Sequence, residues 1–167
     1  SMEVGAETVT SIMAPRQMHG NEPPKMVASA MKAADVIFTP TTYAITHTDA
    51  MAKAIGAGAR ALVLRGITEE MMVSGAITAD YGEIRRRSAR IVERLRRARR
   101  VQIASSYGTD VELSIEARPA FVLAGFATEP GVFAGLPDGE VAVSPVEGSA
   151  EGVIVFDRTM DGIGLLK

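Results

Sequence analysis

The chain has no cysteine and only two histidines, His19 and His47. The first absence removes disulfides, thiolate metal sites and a cysteine nucleophile, and it suits a reducing, cytoplasmic compartment. The second leaves two imidazoles for proton transfer or metal binding. A dominant charge is missing too: the net charge of −2 gives no overall bias toward nucleic acid, anionic membrane or a polyanionic substrate. No stretch approaches the roughly 18 apolar residues of a membrane span, and no basic segment followed by a hydrophobic core opens the chain. No internal repeat or low-complexity tract is present. What remains is 167 residues, 47% hydrophobic and 23% charged, enough for a sizeable core. Ser1 ahead of Met2 reads as left by tag removal and is set aside from the fold argument.

Short apolar strands alternate with helical patterns over the first two thirds. Thr8 to Met13 is strand-like. Pro23-Pro24 opens a helix that turns Met26, Val27, Ala30 and Met31 inward, since proline is tolerated in a first helical turn. Asp35 to Thr39 reads as a strand. Thr48 or Asp49 caps a helix running to about Ile55, which Gly56-Ala57-Gly58 ends. Ala61 to Leu64 is a further strand, Thr68 with Glu70 and Met71 starts another helix, a long arginine-rich helix covers about Tyr81 to Arg99, and Val101 to Ala104 returns as a strand. This alternation predicts an α/β fold with a Rossmann-like, mostly parallel sheet flanked by helices and joined by right-handed crossovers.

After Ser105 the pattern changes. Val111, Leu113 and Ile115 alternate with polar neighbours, and the rest is glycine-punctuated strand, including Val153 to Phe156, with no helical period. The expected division is an α/β domain over 1–106 and a β-rich segment over 107–167 that begins a second domain. Because the end, Gly162-Ile163-Gly164-Leu165-Leu166-Lys167, is still apolar and patterned, the chain is expected to continue into a truncated domain.

Four places carry candidate chemistry. Pro40-Thr41-Thr42-Tyr43-Ala44-Ile45-Thr46-His47-Thr48-Asp49 links a parallel strand to the next helix, where ligand sites of open α/β sheets gather. An imidazole there among hydroxyls suits a general base; a helix-start packing role for His47 is the alternative. Ser105-Ser106-Tyr107-Gly108-Thr109-Asp110 surrounds one glycine with hydroxyls and a carboxylate, which suits either an anion site or a tight turn. It has neither a phosphate-loop lysine nor a dinucleotide fingerprint. Leu136-Pro137-Asp138-Gly139-Glu140 is a stiff turn presenting Glu140 at a strand start, with Glu147-Gly148-Ser149-Ala150-Glu151-Gly152 close behind; a solvated hairpin explains them as well. Nine arginines between Arg85 and Arg100, half of all cations, share a helix with the apolar stripe Ile84, Ile91, Val92, Leu95 and Ala98. That reads as the solvated side of a core-packed helix, with Glu83 and Glu93 as partners and no aromatics to stack on bases, so no nucleic-acid partner is expected.

Taken in order, Ile45-Thr46-His47-Thr48, Gly58-Ala59-Arg60, Gly108-Thr109-Asp110, Arg118, Leu136-Pro137-Asp138-Gly139-Glu140 and Glu151-Gly152 resemble the superfamily that unites aminopeptidase T-type metallopeptidases with 2,5-dihydroxypyridine 5,6-dioxygenases. The resemblance covers the chain from about Pro23 and corresponds to the family's N-terminal part. Where the peptidase branch carries Pro-Thr-Glu before a metal-binding glutamate, this chain has Pro137-Asp138-Gly139 before Glu140. That departure, together with His47, favours the dioxygenase branch. The resemblance implies iron(II)-dependent ring opening of a hydroxylated N-heterocycle, with His47 as base and Thr46, Asp110, Arg118 and Glu140 binding substrate. The metal-binding histidines of the family would fall beyond Lys167, so this chain alone is expected to bind no metal and to be inactive. In the aminopeptidase alternative Glu140 binds zinc or cobalt directly. A second alternative is a non-catalytic α/β module binding a small ligand. A small-molecule substrate, no membrane and a possible homo-oligomer complete the expectation.

Overall fold

The computed structural model describes residues 5–160 and 163–165. Ser1 and Met2, and the Gly162, Leu166 and Lys167 of the terminal apolar run, lie outside them. The elements in chain order are α1 (Lys25–Ala33), β1 (Val36–Thr39), α2 (Asp49–Gly56), β2 (Arg60–Val63), α3 (Tyr81–Arg97), β3 (Arg100–Ala104), β4 (Asp110–Ser114), β5 (Ala120–Leu123), β6 (Phe133–Gly135), β7 (Glu140–Val143), β8 (Glu151–Val153), β9 (Thr159–Met160) and β10 (Gly164–Leu165). They form two compact units: the chain up to Tyr81 with Leu123–Gly139, and Gly82–Val122 with Glu140 onward.

The first unit is built on a three-stranded parallel sheet in the order β1-β2-β6, with Ile37 beside Ala61 and Ala61 beside Phe133. Residues of period two face one way, so Ile37, Ala61 and Val63 share a core with Met31 of α1 and Met51 and Ala54 of α2. The second unit holds an antiparallel sheet, β3-β4-β8; a two-stranded sheet pairs β5 with β7, and another pairs β9 with β10. Val111 and Ile115 are its buried alternating positions, as their spacing predicts. The architecture is therefore mixed α/β with a small parallel sheet and several antiparallel ones.

Several elements differ from the sequence expectation. Residues 8–13 form no strand: Val9 and Ile12 are 80% and 96% exposed, and only Met13 packs on the core. In α1 the inward residues are Val27, Ala28 and Met31, whereas Met26 and Ala30 face solvent. The helix expected from Thr68 is a single turn, in which Thr68 Oγ1 accepts from the Met71 N–H at 3.2 Å and Met72 N–H donates to the Thr68 carbonyl at 3.1 Å. Gly75, at φ 74°, redirects the chain into a short 3-10 turn. β3 does not extend the parallel sheet but pairs antiparallel with β4; the third parallel strand is β6, from much later in the chain. In the last predicted strand only Val153 lies in the ladder, and 154–157 leave it.

Candidate functional site

The loop from 40 to 48 leaves β1 and enters α2, and it is fixed at both ends. Thr39, at the end of β1, accepts from Leu64 N–H at 3.2 Å, and the Thr41 carbonyl accepts from Gly66 N–H at 2.9 Å. Ile45, 2% exposed, anchors the middle of the loop in the core. Thr48 then makes two bonds with one hydroxyl: it donates to the Ile45 carbonyl at 2.7 Å and accepts from Met51 N–H at 3.2 Å. The second bond is an N-cap, so the expected cap of α2 is Thr48 rather than Asp49.

The other free amides at this helix start are taken by Glu22, distant in sequence. Its carboxylate accepts from Asp49 N–H at 2.5 Å and from Ala50 N–H at 3.2 Å. An anion facing the positive end of a helix is favourable, and here the protein supplies that anion itself. His19 completes the clasp. Its Nδ1 accepts from Ala44 N–H at 3.0 Å, which leaves the neutral ring protonated on Nε2, and its ring meets Tyr43 edge-on at 5.2 Å between centroids. Gly20 N–H donates to the Ala44 carbonyl at 2.9 Å. Sequence reasoning counted His19 only as an available imidazole and passed over Glu22. A contact spanning 25 or 27 residues has no local signature in the sequence.

Held this way, Thr46 is half-buried and His47 exposed. Both border a cleft of about 370 Å³ whose polar wall is Thr46, His47, Thr48 and Asp49 and whose apolar wall is Met51, Ala52, Ile55 and Phe133. The His47 ring has no hydrogen-bond partner among the described residues, so both nitrogens are open to a ligand.

The remaining candidates belong to the second unit. Asp110 begins β4, and its carboxylate accepts from Gln102 Nε2 at 2.9 Å across the β3-β4 pair. Arg118 is half-buried and its guanidinium pairs with Glu147. Glu147's own backbone N–H, then Arg118, hold that carboxyl below the ordinary carboxylate range. Glu140 is exposed at the start of β7, after a cis Leu136–Pro137 peptide and a turn in which Gly139 N–H donates to Asp138 Oδ1 at 2.7 Å. Thr46 and His47 thus share a cleft in one unit, while Asp110, Arg118 and Glu140 occur in the other.

The Ser105 to Asp110 segment forms a tight turn. Two of its amides are spent internally, Gly108 N–H on the Ser105 carbonyl at 3.1 Å and Ser105 N–H on the Thr109 carbonyl at 2.9 Å, and Thr109 Oγ1 accepts from Val155 N–H at 3.0 Å. Among the described residues no group of three or more histidine, aspartate or glutamate side chains is placed to hold a metal ion. Among the described residues no helix is long and apolar enough to cross a membrane.

A parallel sheet with helices on it and a strand-to-helix loop clasped in place, with a histidine beside an open cleft, make this a mixed α/β chain. Residues 2–161 match the family described as NicX, 2,5-dihydroxypyridine 5,6-dioxygenase. The chain belongs to that family. It is also similar to the solved structure of 2,5-dihydroxypyridine dioxygenase from Pseudomonas putida KT2440, with a TM-score of 0.67 and 23% identity over 86% of this chain. That likeness is one of fold, and the chain spans 41% of the length of that structure. No curated protein matches the chain significantly.

Proposed function

We propose that this chain is the N-terminal part of a dioxygenase that opens the ring of a hydroxylated N-heterocycle, and that His47 takes a proton from the substrate. The observation that carries this reading is the placement of an unpartnered His47 at the mouth of a cleft, on a loop pinned by Thr48, Glu22 and His19. An imidazole on a pinned loop, whose nitrogens make no internal bond, is suited to general base work, because no existing contact must break before it accepts a proton. The family match over residues 2–161 supports the reaction class.

Within this reading Thr46 offers a hydroxyl to a substrate oxygen, and the apolar wall of Met51, Ile55 and Phe133 receives the ring. Glu140, Asp110 and Arg118 are substrate-binding residues of the second unit. Asp110 and Arg118 would have to share their present partners Gln102 and Glu147. An enzyme of this kind works with a divalent metal, iron(II) in the first instance. The described residues do not fit that ion, since they assemble no ligand set. Its ligands would come from the part of the enzyme that this chain does not span, and the chain alone would not turn over. The Rossmann-like character of the first part, the division at 106 with 107–167 opening a second domain, and a cytoplasmic location belong to the same proposal. No observation favours the aminopeptidase alternative with Glu140 on zinc or cobalt.

The test compares iron content and oxygen uptake on hydroxylated pyridines between this 167-residue chain and the full-length protein. The proposal requires both only in the full-length form. Saturable ligand binding without metal or turnover in either form would replace it with the non-catalytic binding module.

A further inference from the structure

Thr46 and His47 sit in the middle of a loop that is held from either side of them. Among the described residues neither makes a hydrogen bond of its own, so their place beside the cleft is set by their neighbours. On the helix side the anchors are several: Thr48 holds the Ile45 carbonyl and the Met51 N–H, and Glu22 holds the N–H groups of Asp49 and Ala50. On the strand side the last hydrogen-bonded anchor before Ile45 is Ala44, and both of its backbone groups are bound by one short segment. His19 Nδ1 accepts its N–H at 3.0 Å, and Gly20 N–H donates to its carbonyl at 2.9 Å.

The turn that carries His19 is closed by other groups. Gly20 redirects the chain at φ 81°, Asn21 Oδ1 accepts from Met18 N–H at 3.2 Å, and Asn21 N–H donates to the Met18 carbonyl at 3.4 Å. The His19 ring is exposed and meets Tyr43 only edge-on, so it fills no core. Its specific contribution is an acceptor at one point. Without that acceptor the half-buried Ala44 N–H has no partner among the described residues, and the hold on Ala44 falls to the single bond from Gly20.

We propose that His19 is a positioning residue for His47: by holding the Ala44 N–H, its Nδ1 fixes the strand-side end of the loop and so sets where the His47 imidazole stands beside the cleft. This rests on the reading of His47 as the base. A base must lie within hydrogen-bond reach of the proton it takes, and a displacement of about 1 Å lowers turnover by up to about 10²-fold. The apolar wall of Met51, Ile55 and Phe133 does not depend on His19 and still receives the ring. His19 therefore acts on kcat rather than on KM.

The experiment places an acceptor, or none, at that point in the full-length, iron-loaded protein turning over 2,5-dihydroxypyridine. His19→Asn keeps it, because the asparagine side-chain oxygen stands as many bonds from Cα as Nδ1 does. His19→Gln moves the acceptor one bond further out, and His19→Phe keeps a ring against Tyr43 with no acceptor. His19→Phe and His19→Gln should lower kcat about 10–10²-fold with KM little changed. Hydrogen exchange in peptides covering 40–48 should speed up in both, and His19→Asn should stay near wild type in both readouts. In a His47→Gln background His19→Phe should cost nothing more, since the group it positions is gone. If His19→Phe does not fold, the contrast between His19→Gln and His19→Asn carries the test. Full turnover by His19→Phe and His19→Gln beside a slowed His47→Gln, no rescue by asparagine, or losses that multiply in the double variant would overturn the proposal. His47→Gln at the wild-type rate would instead refute the base assignment, and this proposal with it.

Discussion

Replacing Glu22 with alanine removes the acceptor for two amides of α2 at once, those of Asp49 and Ala50. Hydrogen bonds to a charged group contribute about 1.5–3 kcal/mol when shielded. Glu22 is exposed, so water replaces part of what is lost, and the interaction of a carboxylate with a helix start at a surface site adds only about 0.3–1 kcal/mol. The Thr48 cap on Met51 remains, keeping the third amide satisfied. The net destabilisation is therefore about 1 kcal/mol, and in a chain of this length that lowers Tm by about 2–4 °C. Glu22→Gln keeps one good acceptor and should lose about half as much. Thr48→Ala alone should cost about 1–2 kcal/mol, because it also strands the buried Ile45 carbonyl. Thermal melts of Glu22→Ala, Glu22→Gln and Thr48→Ala, with exposed Glu7→Ala as control, decide the matter. The reasoning fails if Glu22→Ala melts with the control, or if Glu22→Gln is the worse of the two glutamate variants.

Gly152 faces β4 at φ 128°, and a Cβ there would run into the Asp110 carbonyl oxygen and approach Val111 Cα at 2.8 Å. Gly152→Ala should thus cost about 2–4 kcal/mol by urea unfolding, whereas Gly148→Ala, at φ 72° with nothing near, should cost about 1 kcal/mol. The Thr39 hydroxyl is buried without a hydrogen-bond partner among the described residues. Thr39→Val should therefore be neutral or raise stability by up to about 1 kcal/mol, and a clear loss in the same assay would show that the hydroxyl is satisfied. Arg87, then Arg86, hold the Glu83 carboxyl below its ordinary value of 4.5. The favourable contribution of Glu83 is present above pH 4.5 and disappears as pH falls through its lowered value. The stability gap between wild type and Glu83→Gln, measured by thermal unfolding followed by circular dichroism, should accordingly stay constant from neutral pH down to about 4.5 and close on further acidification.

What was legible in the sequence was what local physics dictates. The strand Val36 to Thr39, the Thr48 cap, the Gly56-Ala57-Gly58 stop and the arginine helix each announce themselves within a few residues, and each stands within two residues of its expected bounds. Long-range pairing was not legible. Nothing about Phe133-Ala134-Gly135 says that it will lie beside β2, and Val101 to Ala104 is as strand-like in a parallel as in an antiparallel ladder. The outward turn of Met26 has the same origin, since the helical period names a face but the packing of α1 on α2 selects which one. Of the candidate site, the loop around Thr46 and His47 was visible from its position after a strand. Its clasp by His19 and Glu22 was not, because those contacts are made through folding alone. Phe133 was invisible as a cleft residue for the same reason.

The account turns on His47. Oxygen uptake and substrate loss should be followed with 2,5-dihydroxypyridine in the full-length, iron-loaded protein, for wild type and His47→Gln side by side, with iron content, substrate binding and Tm recorded for both. His47 is exposed and without a hydrogen-bond partner among the described residues, so the substitution should leave Tm and iron content unchanged. Substrate should still bind while kcat falls about 10²–10⁴-fold, the contribution of a general base. Turnover by His47→Gln at the wild-type rate, or loss of activity that merely follows loss of iron or of fold, would contradict the account.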